Sequence, residues 1–307
     1  MKYIELGQDK TKVSQVVLGC MRIPNLSEKE VLNLLDFSQD HGINMLDTAD
    51  VYKLGTSEEL LGKAFFKEKG LRDKFFLQTK CGIRKNPHLY DFSKKHIIEA
   101  VNASLKRLNT DHVDSLLLHR PDPLMEPCEV GEAFNELKTS GKVLNFGVSN
   151  MNPMQMELLQ SGLDYKIIVN QVQLSICHTP MLNQGINVNM FNDSAICRDG
   201  GVLEYCRLKH ITIQAWSVLQ HGFFGGVFLE DPNYQKLNEV LERIANENNV
   251  SKTAVAIAWI LRYPGNMQAV IGTTKTERVA LSCDACKVNL TREQWYELYL
   301  AAGNDLP

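Results

Sequence analysis

The sequence predicts an α/β chain folded as one domain over residues 1–307, a parallel (β/α)8 TIM barrel. Three observations carry that expectation. Eight short apolar strands alternate with helical stretches, and each strand ends in a polar cluster. The length suits one barrel of this kind, which often takes about 250 residues. The rival, a doubly wound dinucleotide fold, lacks its signature. No GxGxxG joins the first strand to its helix, and Gly222-Phe-Phe-Gly-Gly226 lies in a late loop with the wrong spacing.

The elements follow in order. Tyr3-Ile-Glu-Leu6, a polar turn through Gln8-Asp-Lys10, and Lys12-Val-Ser14 predict a short N-terminal β-hairpin. Val16-Val-Leu-Gly19 is the first barrel strand, and the helix near Glu28–Gln39 stops at Gly42. The second strand is Ile43–Leu46, and Ser57 is expected to cap the helix after it. Phe75–Lys80 forms the third strand, with a long helix opening at Ser93 and running through Leu108. Val113–His119 is the fourth, a near-continuous apolar run of the kind buried on both faces. A helix near Val130–Thr139 leads to the fifth strand, Val143–Asn150. Ile167–Gln171, Ile211–Ser217 and Gln268–Gly272 complete the eight. Two connections break the short-loop rule, His178–Asp199 after strand six and Leu219–Gln235 after strand seven, and long ordered loops usually shape a binding site.

Composition narrows the function classes. A 44% hydrophobic and 22% charged chain is ordinary for a globular enzyme. A formal charge of −3 gives no electrostatic reason to expect nucleic acid or an anionic membrane as partner. No run approaches the ~18 apolar residues of a membrane span, and Met1-Lys-Tyr-Ile-Glu-Leu-Gly7 is too polar for a signal peptide. A cytoplasmic location is therefore expected. Eight cysteines lie scattered without a disulfide rhythm, which fits a reducing compartment. Cys283-Asp-Ala-Cys286 has no second ligand pair nearby, so two half-buried thiols are expected there rather than a metal site.

Chemistry collects where the strands end, because the C-terminal ends of such a barrel share one mouth. Strand two delivers Asp47 and then Tyr52, strand three Lys80, and strand four His119. Each alone has an ordinary structural use, but their coincidence on consecutive strand ends points to proton transfer. A neighbouring ammonium is expected to lower the phenol's pKa, and a carboxylate to keep that ammonium charged. Imidazole can hydrogen-bond a carbonyl or relay a proton. Ser149-Asn150 and Asn170-Gln171 offer amides and a hydroxyl, and Trp216 offers a flat surface for a planar ring. Gly272-Thr-Thr-Lys-Thr-Glu-Arg278 runs into a helix with hydroxyls and two cations, as a phosphate requires.

Leu46-Asp-Thr-Ala-Asp-Val-Tyr52, Gln78-Thr-Lys-Cys81, Leu117-Leu-His-Arg-Pro-Asp122, Gly147-Val-Ser-Asn150, Asn170-Gln-Val172, Ala215-Trp-Ser217 and Gly272–Val279 together resemble the aldo-keto reductases. The resemblance spans essentially the whole chain. His119–Met125 and Thr291–Trp295 look most like the bacterial YdhF-type oxidoreductases. It implies metal-free, NADPH-dependent reduction of aldehydes and ketones. By that likeness Tyr52 is the general acid, Lys80 and Asp47 tune it, and His119 orients the carbonyl. Ser149, Asn150 and Gln171 would hold the nicotinamide amide, with Trp216 stacked on the ring. Ser217 and Leu219 match pyrophosphate contacts. Gly272, Thr273, Thr274, Lys275 and Arg278 match the segment at the adenosine 2′-phosphate. Met21, Arg22 and Arg120 are the substrate-pocket candidates.

Three departures from the family pattern stand out. Lys53 replaces a Gly often found after the catalytic Tyr, and Leu281-Ser282 stand where a Glu-Asn pair often meets adenine. The tail after Trp295 is short. The leading expectation is a carbonyl reductase acting on a small-molecule carbonyl, a monomer or weak homo-oligomer. Two rivals stand beside it. One is an NADP(H)-binding redox-sensing subunit, since the family includes potassium-channel β-subunits. The other is a Schiff-base enzyme using Lys80, which leaves Trp216 and Gly272–Arg278 without a purpose.

Overall fold

A computed structural model describes every residue except Gln8 and Phe224. The expected turn at Gln8 and the Phe224 position of the late glycine-rich loop therefore lie outside the described residues. The chain opens with the antiparallel hairpin β1 (Tyr3–Leu6) and β2 (Thr11–Ser14). Next come β3 (Val16–Gly19) and α1 (Glu28–Asp40), then β4 (Met45–Asp47) and α2 (Thr56–Lys67). β5 (Phe76–Cys81) leads into a second hairpin, β6 (Ile83–Lys85) and β7 (His88–Tyr90), before α3 (Lys94–Leu108). β8 (Val113–Leu118) precedes α4 (Pro127–Thr139), and β9 (Val143–Ser149) precedes α5 (Pro153–Gln160). β10 (Ile167–Gln173) is followed by α6 (Pro180–Ile186) and α7 (Val202–Lys209). β11 (Thr212–Trp216) is followed by α8 (Gln235–Asn248) and α9 (Lys252–Leu261). β12 (Met267–Ile271) is followed by α10 (Thr276–Cys283) and α11 (Arg292–Ala301).

The strands β3, β4, β5, β8, β9, β10, β11 and β12 pair in parallel and close into a barrel. The predicted (β/α)8 TIM barrel is the observed fold. Burial on both faces explains the unbroken apolar runs: every residue of β3, β5 and β12 is buried. The surrounding helices bury one stripe each. In α1 that stripe is Val31, Leu34, Leu35 and Ser38, and the helix begins in a capping box between Ser27 and Glu30. The N-terminal hairpin seals the barrel floor, where Leu6 and Val13 pack against Val17, Met45, Phe76 and Val270.

Some boundaries differ from expectation. The second barrel strand is Met45–Asp47, so Asp47 ends the strand rather than following it. Ile43 N–H instead bonds the Ser38 carbonyl, and Asn44 donates through its side chain to the Lys12 carbonyl of the floor hairpin. Ser57 does not cap α2. The cap position is Gly55, with φ of 92°, and Ser57 lies buried inside the helix. Lys53 and Leu54 before it also take left-handed backbone, at φ of 48° and 55°. Three left-handed residues in a row turn the chain sharply from Tyr52 into α2. Gly55 suits this because a Cβ there would stand 2.7 Å from Arg107 Cδ.

Both long connections hold structure of their own. His178–Asp199 contains α6 and a short turn at Asp193–Ala195, and Leu219–Gln235 contains a β-bridge between Gln220 and Val227. The β6–β7 hairpin is a third loop at the same end of the barrel, one the sequence did not announce. Cys283 ends α10 and Cys286 follows in a short turn, both buried as free thiols, and burial pushes the Cys283 thiol up to about 12.

Candidate active site

The four predicted proton-transfer residues meet at the C-terminal end of the barrel. Lys80, the penultimate residue of β5, is fully buried. Its ammonium donates to Asp47 Oδ2 at 2.7 Å, to the Thr48 carbonyl at 2.8 Å and to Tyr52 OH at 3.2 Å. Three N–H bonds thus have three acceptors, which is what a buried ammonium needs to stay charged. Asp47 and Tyr52 together hold the Lys80 pKa above its ordinary value although burial alone pulls it down. Breaking a pair so deeply placed would strand a bare charge in the core.

Tyr52 departs from the expected electrostatics. Its pKa stands above the ordinary value rather than below it, because desolvation of the phenolate outweighs the pull of Lys80, and Asp47 adds to the rise. The consequence is a phenol that keeps its proton at neutral pH. His119 follows β8 and meets Tyr52 edge-on, with ring centroids 5.8 Å apart. Burial, then Lys80, Arg120 and Lys85, hold its imidazole well below the usual histidine range. It is neutral at neutral pH, with Nδ1 buried and lacking a partner among the described residues.

Beside this group lies a second cluster. Trp216 Nε1 donates to Asn150 Oδ1 at 3.2 Å, Asn150 Nδ2 to Ser149 Oγ at 2.8 Å, and Ser149 Oγ to the Gln171 carbonyl at 2.9 Å. The ends of β9, β10 and β11 are thereby tied together. Gln171 joins the two clusters, since its Nε2 donates to Asp47 Oδ1 at 3.0 Å. Arg120 lies 5.9 Å from the Trp216 ring centroid, so one substrate-pocket candidate flanks the predicted stacking surface.

The remaining candidates border the mouth on its other side. Ser217 has φ of 55° and donates to Gln220 Oε1 at 2.8 Å; Leu219 is half-buried against the core. Arg22 Nη1 donates to the Gly272 carbonyl at 3.1 Å, which brings the first βα loop, with half-exposed Met21, against the eighth. Thr273 Oγ1 accepts from Lys275 N–H at 3.2 Å. Lys275 is the cap residue of α10, so the helix is not capped by Thr274. Lys275 and Arg278 are exposed, and among the described residues neither has a carboxylate partner. Ser282 is buried and donates to the Arg278 carbonyl at 2.7 Å.

A sequence model of the Aldo/keto reductase family matches residues 15–299. The chain belongs to that family. It is 37% identical to the 6-dehydroglucose reductase of Agrobacterium fabrum, with 97% of each chain covered. It is 34% identical to the oxidoreductase YdhF of Escherichia coli over 99% of both chains. The aldo-keto reductase of Klebsiella pneumoniae, solved in complex with NADPH, superposes with a TM-score of 0.77 at 25% identity, covering 97% of this chain and 93% of that one. Among the described residues no helix is long and apolar enough to cross a membrane.

The sequence reading missed part of the site. Thr48 contributes a backbone carbonyl to Lys80, which no side-chain pattern reveals. Gln78 Nε2 donates to Asp47 Oδ1 at 2.7 Å and is fully buried. A signal for it existed, an amide within a strand buried along its whole length, two residues before Lys80.

Proposed function

We propose that this aldo/keto reductase reduces aldehyde and ketone carbonyls to alcohols with NADPH. The observation that carries the reading is the buried Lys80 ammonium, hydrogen-bonded at once to Asp47 and to Tyr52 beside a neutral His119. NADPH, when bound, supplies hydride to the carbonyl carbon. Tyr52 protonates the oxygen that gains negative charge. Because its phenol is held protonated, Tyr52 is a proton donor in the ground state and becomes phenolate only as the reaction proceeds. Lys80 then steadies that developing charge from 3.2 Å, a stabilisation that grows towards the transition state. His119, uncharged, hydrogen-bonds and orients the carbonyl oxygen without competing as the acid.

The residues present fit such a cofactor. Ser149, Asn150 and Gln171 gather hydroxyl and amide groups next to Trp216, a set suited to a carboxamide on a planar ring. Ser217 and Leu219 would meet the pyrophosphate. Gly272, Thr273, Thr274, Lys275 and Arg278 would meet the 2′-phosphate, and the two exposed cations without carboxylate partners favour it. Adenine would rest near half-exposed Leu281, an apolar contact in place of a polar grip. Met21, Arg22 and Arg120 are placed to touch substrate.

NADPH consumption with a panel of aldehydes, ketones, keto acids and 6-dehydroglucose tests the reading; the last belongs because a relative is named for its reduction. Cofactor choice is checked by titrating NADPH and NADH against tryptophan fluorescence. Lys275→Ala should weaken NADPH about tenfold and leave NADH unchanged, the loss of one charge-assisted phosphate contact. Equal affinities in the parent would remove the phosphate assignment. Tight NADPH binding with no turnover across the panel would favour a regulatory subunit.

A further inference from the structure

Four buried glutamines line the barrel interior, and the proposed reaction uses one of them at most. Gln78 on β5, Gln171 on β10, Gln214 on β11 and Gln268 on β12 occupy a region that parallel barrels ordinarily fill with branched apolar side chains. Buried amides persist only where their hydrogen bonds are made, so their partners are informative.

The bonds converge on two acceptors, the Ser14 carbonyl at the floor and Asp47 at the mouth, with one longer bond back from Gln214 Nε2 to Gln78 Oε1 at 3.3 Å. Gln268 Nε2 donates to the Ser14 carbonyl of the floor hairpin at 2.7 Å. Gln214 Nε2 donates to Gln268 Oε1 at 2.9 Å. Gln78 and Gln171 both donate through Nε2 to Gln214 Oε1, at 2.7 and 3.0 Å. The same two nitrogens donate their second hydrogens to Asp47 Oδ1, at 2.7 and 3.0 Å. An amide's oxygen and nitrogen are alike in shape, and orientation follows from the network. Here both ends are obligate acceptors, a backbone carbonyl at the floor and a carboxylate at the mouth. Turning any one amide over sets acceptor against acceptor, so the floor carbonyl dictates that two N–H donors face Asp47.

We propose that this amide chain is a positioning relay, in which Gln268 and Gln214 orient Gln78 and Gln171 to clamp Asp47 Oδ1 and so hold Oδ2 against Lys80. Lys80 has its three hydrogens committed to Asp47, Thr48 and Tyr52, so a carboxylate that rotates takes the ammonium away from the phenol. The relay also spreads the Asp47 charge onto two donors, which lessens its weight on a Tyr52 phenolate. Tyr52 is faced by Lys80, Asp47, His119 and Cys20, and of these Asp47 is the one the relay touches. The inference rests on the reductase reading for its consequence but not for its test.

Gln214→Met keeps an unbranched side chain of similar length and removes every amide bond of the hub. Two readouts are taken. Tyrosinate absorbance, titrated for each protein against its Tyr52→Phe counterpart, reports ionisation of Tyr52 without turnover. The pH profile of alcohol oxidation with NADP+, which needs the phenolate, reports the same group in action. With the clamp lost, both should move to higher pH by about half a unit or more, and the kcat for carbonyl reduction should fall about tenfold. If Gln214→Met does not fold, Gln268→Met, farther from Asp47, should shift both in the same direction. A lower melting temperature with unmoved titration and pH profile would make the glutamines packing alone and overturn the relay. An inactive parent would fail the reductase reading, while the tyrosinate titration would still judge the relay.

Discussion

Asp50 sits two residues before Tyr52, half-buried, with Oδ1 lacking a hydrogen-bond partner among the described residues. Burial, and then the Glu58 carboxylate, push its carboxyl up to about 7, against the pull of Arg107 and Lys80. A carboxyl raised from about 3.9 contributes stability that is complete below that value and is lost as pH climbs through about 7. Asp50→Asn keeps the shape and removes the titration. Denaturant melts should therefore coincide near about pH 3, below the unfolded pKa, and the variant should gain about 1–3 kcal/mol above about pH 8. A gap that does not change with pH would contradict this. Residues of this kind were only partly legible in the sequence. Asp47, Lys80 and His119 could be read because each ends a recognisable apolar strand, and Tyr52 because it follows Asp47 on the connecting loop. The sign of the Tyr52 shift could not, because it depends on how much water burial removes, and sequence carries no measure of that.

At the scale of elements, the C-terminal helix clamps the loop after β10. Trp259 and Trp295 stack at 4.7 Å, and each donates its indole N–H to the other's carbonyl, at 3.0 and 3.1 Å. That fixes α11 on α9 and carries Tyr299 OH to Asn183 Oδ1 at 2.7 Å. Asn304 Oδ1 then accepts from Thr179 Oγ1 at 2.9 Å and from Asn183 Nδ2 at 3.2 Å. Tyr299 and Asn304 thus anchor the start of α6. Asn304→Ala with Tyr299→Phe should speed proteolytic nicking within His178–Asp199 about three- to tenfold while global stability falls little. Cleavage unchanged from the parent would show that the loop holds itself. None of this was visible in advance. α6 has seven residues and no usable period, and the β6–β7 hairpin is short and exposed, so neither leaves the long apolar rhythm that marked the barrel strands.

Across the whole molecule, a floor hairpin, a layer of amides and a charged mouth lie in series along one barrel. The barrel itself was legible because strands buried on both faces must be apolar throughout. The amide layer was not, because glutamines on β5, β10, β11 and β12 are far apart in sequence and meet only once the sheet closes. The central claim is that Tyr52 serves proton transfer while other residues bind the cofactor. Tyr52→Phe removes one oxygen and leaves Asp47, Lys80 and the Ser149–Asn150–Trp216 cluster untouched. The direct test is kcat for carbonyl reduction beside the NADPH dissociation constant, measured on the parent and on this variant. The account predicts a fall in kcat of roughly 10²–10⁴-fold, the usual worth of a positioned acid, with NADPH affinity nearly unchanged. A Tyr52→Phe protein as active as its parent would contradict it.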